Sequence, residues 1–115
     1  MKSGIQYDQK DIVIVPFPFT DLSSAKQRPV LILSTNEYNK KGQDVITCGI
    51  TSNLDNNEHS ILIDNSSLTE GSIPVKSRIK VDKIFTISKM LVRKKIAKLK
   101  DQAFENVKNE LFTLI

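Results

Sequence analysis

The stretch from Asp11 to Phe19 reads DIVIVPFPF, nine residues in which β-branched and aromatic side chains dominate. Its large apolar residues Val13, Val15, Phe17 and Phe19 recur at every second position, which is the period of a β-strand because successive side chains point to opposite faces. The two prolines in its second half cannot donate hydrogen bonds to a neighbouring strand. We therefore predict a strand whose second half lies at a sheet edge or in a bulge.

Similar runs follow at short intervals. Arg28–Thr35 (RPVLILST) and Val45–Ser52 (VITCGITS) are predicted to form the second and third strands, and Gly49 marks a bulge or a close backbone approach. The polar stretch Thr20–Gln27 is predicted to be a loop. Asn36–Gly42 is predicted to be a turn or a single helical turn.

The second half of the chain continues the pattern with shorter segments. The predicted strands are Ser60–Asp64, Ser77–Ile87, with a shift of phase after Lys83, and Leu91–Leu99; the predicted loops are Asn53–His59 and Asn65–Gly71.

The period changes to that of a helix at the end of the chain. Asp101 can cap this helix, whose apolar residues are Ala103, Phe104, Val107, Leu111, Leu114 and Ile115. Five to seven short strands followed by one helix indicate a mainly β fold, a small and strongly bent barrel with the helix packed on it. The sequence has no alternation of strand, helix and strand, so it does not indicate a Rossmann or TIM architecture.

Length and composition indicate one soluble domain over residues 1–115. The chain carries 17 Lys and Arg against 13 Asp and Glu, a net charge of +4, and 39% of its residues are hydrophobic. Cys48 is the single cysteine, which excludes an internal disulfide framework and a zinc module. No apolar run is long enough to span a membrane, and the N-terminal residues do not have the layout of a signal peptide. We expect a cytoplasmic protein.

The positive charge is concentrated in one segment, Lys76–Lys100. This segment holds ten basic residues and one acidic residue, a local charge of +9, and leaves 7 basic and 12 acidic residues elsewhere, a charge of −5. Two interpretations remain open: a surface that meets a polyanion or an acidic partner, or a solvated strand pair whose lysines block edge-to-edge aggregation.

Most catalytic signatures are missing from the sequence. His59 is the single histidine, so schemes that need two histidines are excluded, and clusters of His and Cys cannot bind a metal. A triad of Ser, His and Asp is possible by count, yet no G-x-S-x-G elbow is present. Cys48 lies in an apolar strand, where we expect a buried and unreactive thiol.

The remaining candidates are polar residues at strand ends. Arg28 begins the second predicted strand, and Thr51 and Ser52 end the third. A guanidinium beside a hydroxyl suits a phosphodiester, because arginine binds phosphate oxygens in a bidentate manner and a hydroxyl can orient one of them. The alternative is that Arg28 forms a salt bridge and Thr51 is an ordinary strand residue.

Four blocks of the sequence, in their order and spacing along the chain, resemble the MazF/PemK family of toxins from bacterial type II toxin–antitoxin systems. The blocks are Asp11–Phe19, Gln27–Ser34, Ile50–Ser52, and Lys83–Leu99 with the helix after it. The resemblance implies an SH3-like barrel, a homodimer, and an acidic antitoxin as partner. It also implies an endoribonuclease without metal or cofactor that cuts single-stranded RNA and leaves a cyclic phosphate and a free 5′-hydroxyl.

The same resemblance implies roles for individual residues. The catalytic arginine and threonine of the family correspond to Arg28 and Thr51. The residues expected to contact RNA are Thr20, Lys26, Gln27, Ser52, Lys80 and Lys83.

The chain departs from the family pattern in three places. The loop Thr20–Gln27 is shorter than in many members, Phe85 stands where many members carry an arginine, and Ala97 replaces a frequent glycine. Base stacking would depend on Phe17, Phe19, Tyr38 or Phe85, each of which could equally belong to the core.

The alternative function is that of a non-catalytic module with the same fold. It would be either a gyrase poison of the CcdB type, whose terminal Trp is missing here, or a binder of nucleic acid or antitoxin.

Overall fold

The computed structural model of the protein describes residues 6–17, 26–55 and 57–115. Within these ranges the strands are β1 (Asp11–Phe17), β2 (Lys26–Ile32), β3 (Asp44–Thr51), β4 (Ser60–Ile63), β5 (Leu68–Gly71), β6 (Ser77–Ser88) and β7 (Lys94–Leu99). The helices are α1 (Asn36–Lys41) and α2 (Asp101–Phe112), and single 3-10 turns occupy Asn65–Ser67 and Lys89–Leu91.

The seven strands form one antiparallel sheet in the order β4-β6-β3-β2-β1-β7-β5. The sheet curls into a half-barrel, and this confirms the predicted mainly β barrel with a C-terminal helix. β1 lies in the interior of the sheet between β2 and β7, so that Asp11 pairs with Lys98. One neighbour of β1 is therefore the next strand in the chain, whereas the other, β7, comes from near the C-terminus.

Alternation along the central strands produces apolar clusters on both faces of the sheet. One cluster joins Ile12 and Leu31 to Phe104 and Val107 of α2, which covers that face. The second cluster lies on the opposite face and contains Tyr7, Val13, Val15, Val30, Ile32, Val45, Ile87 and Val92. Val13 and Val15 are completely buried there, and Ile12 is completely buried on the other face, so β1 is covered on both faces.

Several predicted boundaries differ from the structure. The loop predicted over Asn65–Gly71 is wrong in its second half, because Leu68–Gly71 forms the edge strand β5 against β7. The second predicted strand ends at Ile32, since the Thr35 side chain caps α1 by accepting a hydrogen bond from the Tyr38 N–H at 3.2 Å. Phe19 lies outside the described residues.

The C-terminal third differs in detail as well. The last strand begins at Lys94 rather than at Leu91, because a 3-10 turn precedes it. Asp101 was expected to cap α2 but is its first residue; Lys100 occupies the capping position without a side-chain hydrogen bond. The helix ends at Phe112, and Ile115 is 85% exposed.

Within the described ranges, neither helix combines the length and the hydrophobicity that a membrane span requires.

Candidate active site

A cleft of about 580 Å³ opens on the face of the sheet opposite α2. Val30 and Phe85, which pack in or against the second apolar cluster, form part of its wall. The residues that line it are Phe17, Arg28, Pro29, Val30, Gly49, Ile50, Thr51, Lys80, Asp82, Lys83, Ile84 and Phe85. The cleft therefore joins an apolar wall to a set of cations and one hydroxyl.

Strand register brings Arg28 and Thr51 together in this cleft. β2 and β3 are antiparallel, and Val30 is paired with Gly49. The pairing of β2 with β3 ends at this pair; Arg28 and Thr51 lie two residues beyond it on their strands, and both side chains line the cleft. The two residues that the sequence singled out at strand ends are thus neighbours on one face.

The Thr51 hydroxyl is oriented by the backbone that follows it. Thr51 Oγ1 accepts a hydrogen bond from the Asn53 N–H at 3.1 Å. Because this bond uses a lone pair of the oxygen, the hydroxyl hydrogen is left to be donated to another acceptor, such as a phosphate oxygen. Thr51 itself is half-buried, so its hydroxyl can be reached from the cleft.

Arg28 is exposed, and no side-chain hydrogen bond or ion pair joins it to another residue within the described ranges. The proposed structural alternative, a salt bridge at Arg28, has no partner among these residues. Its five donors therefore face the cleft without a competing carboxylate bonded to them.

Two cationic side chains of β6 hold the loop that begins after Thr51. Arg78 pairs directly with Thr51 in the sheet, and its Nε donates to the Leu54 carbonyl at 2.8 Å. Lys80 is buried, and its Nζ donates to the Glu58 carbonyl at 3.0 Å. The start and the end of this loop are thus both anchored beside the cleft.

A bulge in β6 delivers further charged groups to the cleft. Cys48 pairs with Ile84 while its neighbour Gly49 pairs with Lys80, so three residues, 81–83, have no partner on β3. Asp82 and Lys83 lie in this bulge and line the cleft, with 4.0 Å between Lys83 Nζ and Asp82 Oδ2. The irregularity in pairing lies at Gly49, where a bulge or a close backbone approach was predicted, but the extra residues are on β6 and not on β3.

Sequence reasoning missed Asp82, the residue whose carboxylate lines the described part of the cleft. The signal was the shift of phase after Lys83, because a bulge re-aims side chains that regular alternation would place elsewhere. From the sequence alone, such a shift indicates a break in a strand and does not identify a site.

The other residues expected to contact RNA occupy different surroundings. Lys80 and Lys83 line the cleft. Lys26 and Gln27 are exposed at the start of β2, and Ser52 is exposed directly after β3. Thr20 lies outside the described residues, so its predicted contact has no structural counterpart here.

Part of the charge in Lys76–Lys100 is neutralised within the fold. Lys95 Nζ lies 3.3 Å from Asp11 Oδ1 and 3.0 Å from Glu70 Oε1. Lys98 Nζ lies 3.5 Å from Asp11 Oδ1 and 3.5 Å from Asp8 Oδ2. Partial burial opposes the charge on Lys95, but the two carboxylates outweigh it and raise the pKa of its amine. These two lysines are therefore paired with carboxylates, while no ion pair within the described ranges holds the exposed Lys94 beside them.

Cys48 is completely buried, and desolvation raises the pKa of its thiol to about 12, so the predicted unreactive thiol is confirmed as a core residue. In the part of the chain that the structure describes, no three His, Cys, Asp or Glu side chains are grouped so as to hold a metal ion.

Solved structures with the same fold are numerous. The chain is similar to a MazE–MazF complex from Deinococcus radiodurans, with a TM-score of 0.78 at 19% identity over 96% of each chain. It is also similar to an endoribonuclease in complex with its cognate antitoxin from a mycobacterial species, with a TM-score of 0.75 at 15% identity over 96% of this chain and 93% of the other. At these low identities, the TM-scores show that the fold is shared.

No curated protein sequence matches the chain significantly. The sequence profile of the PemK-like, MazF-like toxins of type II toxin–antitoxin systems matches residues 8–115, nearly the whole chain. The matched range contains both the curled sheet and every described residue of the cleft. The match shows that the chain belongs to this toxin family.

Proposed function

We propose that this protein is the toxin of a type II toxin–antitoxin system and acts as a sequence-specific endoribonuclease on single-stranded RNA, with Arg28 and Thr51 as catalytic residues. The observation that carries the proposal is that these two side chains, from the adjoining ends of β2 and β3, line one cleft. Family membership supports it, as do the endoribonuclease and the toxin–antitoxin complex that share the fold.

The chemistry of the site fits cleavage by the neighbouring 2′-hydroxyl. Its oxygen attacks the phosphorus, the bond to the 5′-oxygen breaks, and the products are a cyclic phosphate and a 5′-hydroxyl. Arg28 donates hydrogen bonds to the phosphate oxygens, where charge increases in the transition state. Thr51 donates its free hydroxyl hydrogen to one of these oxygens and fixes the phosphate against β3.

Two protons move in this reaction. Arg28 can supply the proton that the leaving 5′-oxygen needs, because an alkoxide is more basic than a guanidine. The 2′-hydroxyl must lose a proton, and the Asp82 carboxylate in the same cleft is the group suited to accept it. Positive charge from Arg28 and Lys83 on the scissile phosphate lets the scheme proceed without a metal ion.

Cleavage of a long single-stranded RNA in EDTA, followed by mapping of the product ends, tests the proposal. Arg28→Ala should lower the cleavage rate by at least about 100-fold, the usual cost of losing a group that stabilises transition-state charge. Arg93→Ala is the matched control, since Arg93 is also exposed but does not line the cleft. Equal rates for wild type and Arg28→Ala would refute the site.

Substitutions at Thr51 and Asp82 separate their roles. Thr51→Val keeps the shape and removes the hydroxyl, and it should cost about 10- to 150-fold, whereas Thr51→Ser should restore most of the rate. Asp82→Asn should slow cleavage, because an amide cannot accept the proton of the 2′-hydroxyl. An unchanged rate would assign the proton to another acceptor.

The partner proposed for this toxin is an acidic antitoxin, and the proposed assembly is a homodimer that works in the cytoplasm, where its RNA substrate is found. Exposed lysines of β7 support an acidic partner, and the comparison of Lys94 with Lys95 tests it. Lys94→Gln should weaken binding of a synthetic polyglutamate peptide and flatten its salt dependence. Lys95→Gln should change binding less, because Lys95 is already paired with two carboxylates. Sedimentation of the purified protein measures the dimer.

A further inference from the structure

The cleft has an apolar side that the phosphate chemistry does not use. Phe17, Pro29, Val30, Ile84 and Phe85 make up this side. Phe17 is 43% exposed, while Phe85 is half-buried against the second apolar cluster. An aromatic surface that is open to solvent, in a cleft whose charged residues are three cations and one carboxylate, indicates a ligand with both an apolar face and negative charge.

The curl of the sheet brings the two rings together. Phe17 lies on β1 and Phe85 on β6, and β2 and β3 separate these strands in the sheet. Across a flat sheet, three strand spacings would amount to about 14 Å. The ring centroids are nevertheless 6.1 Å apart, with an angle of 38° between the planes. The rings thus meet across the concave face and form one continuous aromatic surface.

This aromatic surface adjoins the proposed catalytic pair. Val15 is paired with Arg28, and Phe17 follows Val15 on the same face of β1. Gly49 lies between Thr47, the partner of Phe85, and Thr51 on the same face of β3. Because glycine has no side chain, no group from that position stands between the aromatic rings and the Thr51 hydroxyl.

We infer that Phe17 and Phe85 form a stacking site for one unpaired nucleobase next to the phosphate held by Arg28 and Thr51. This inference rests on the proposed function and names how the substrate is held. Bases of single-stranded RNA present a flat apolar face joined to an anionic backbone, which is the combination that the cleft offers.

A non-cleavable RNA analogue with a 2′-deoxy nucleotide at the cleavage site tests the inference by binding. The fluorescent base 2-aminopurine is placed in turn at each position around that site, because its emission falls when it stacks. One position should be strongly quenched by the wild-type protein. Phe17→Leu, which keeps an apolar side chain without the ring, should remove the quenching and raise Kd about 5- to 150-fold, the usual loss for one stacked base.

Control variants separate stacking from packing. Phe17→Tyr retains an aromatic ring and should bind as the wild type does. Tyr38→Leu is the matched control, because Tyr38 is also 43% exposed but lies on α1 outside the cleft. Replacing the quenched nucleotide by an abasic one should raise Kd for the wild type and leave Phe17→Leu unchanged. Should Phe17→Leu fail to fold, Phe85→Leu provides the same comparison from the other ring.

The outcomes distinguish this inference from the proposed function. A wild-type protein that cuts RNA, together with a folded Phe17→Leu variant of unchanged Kd, would overturn the stacking site and leave the ribonuclease intact. A wild-type protein that quenches 2-aminopurine through Phe17 without cutting any RNA would refute the ribonuclease and support the stacking site. Equal losses for Phe17→Leu and Tyr38→Leu would also overturn the inference.

Discussion

Replacing Asp11 by Asn should lower the free energy of unfolding by about 3 kcal/mol although the side chain keeps its shape. Asp11 is completely buried, and its Oδ1 lies 3.3 Å from Lys95 Nζ and 3.5 Å from Lys98 Nζ. Breaking a buried ion pair costs about 3–5 kcal/mol when the charge that remains is buried and unpaired, whereas here Lys95 and Lys98 keep Glu70 and Asp8 as partners. The lower end applies here, since the two lysine side chains are 34% and 26% exposed and can regain water.

Glu70→Gln is the matched control for this prediction. Glu70 Oε1 lies 3.0 Å from the same Lys95 Nζ, closer than Asp11, but its side chain is 58% exposed. An exposed pair contributes about 0.2–1 kcal/mol, because water screens both charges. The farther carboxylate should therefore cost at least about three times more than the nearer one, since burial and not distance decides the energy.

Urea unfolding followed by circular dichroism measures both variants, with an unchanged slope showing that the same surface is exposed. A loss at Asp11→Asn that does not exceed the loss at Glu70→Gln would refute the reasoning. Neither residue lines the cleft, so RNA cleavage by the folded variants should match the wild type.

Three shorter predictions follow from other parts of the fold. The Cys48 thiol, buried and with its pKa raised to about 12, should react with a disulfide reagent at pH 8 only after unfolding in guanidinium; rapid labelling of the native protein would contradict its burial. Gly71 has φ of +74°, and a Cβ at this position would clash with the Ile96 carbonyl oxygen. Gly71→Ala should therefore lower the free energy of unfolding by more than about 1 kcal/mol, measured by thermal unfolding. An unchanged midpoint would show that β5 can shift to make room. The pKa of the Lys95 amine is raised in the folded protein, so the stabilisation by its ion pairs is complete below pH 10.5 and is lost as pH rises through the pKa of the folded state. The difference in unfolding free energy between wild type and Lys95→Met should therefore shrink above pH 10.5. A constant difference would exclude the ion pairs as its source.

The sequence predicted those parts of the fold that depend on local pattern. Alternation of β-branched residues identified β1, β2, β3 and β6, because each has a buried face that its own residues define. The strand β5 escaped prediction, since only Leu68 of its four residues is buried and its hydrogen bonds come from β7. Edge strands of this kind are formed by their partner more than by their own sequence.

The candidate site divides in the same way. Arg28 and Thr51 could be placed at strand ends from the sequence, and their common face then depended on a register that pairs Val30 with Gly49. Asp82 could not be placed, because its direction depends on a bulge of three residues. The ion pairs of Lys95 and Lys98 were equally hidden, since Asp8 and Asp11 are distant in sequence and reach these lysines only through the sheet.

The central position of β1 also has a consequence for synthesis on the ribosome. Arg28 and Thr51 are translated early, yet the sheet that aligns them contains β1, which pairs Asp11 with Lys98 of β7. Local helices can form as a nascent chain emerges, but a strand pairing of such long sequence separation must wait until both partners have been made. The growing chain therefore completes its sheet only after Lys94–Leu99 has left the exit tunnel. We expect Arg28 and Thr51 to be aligned in the completed sheet only late in translation.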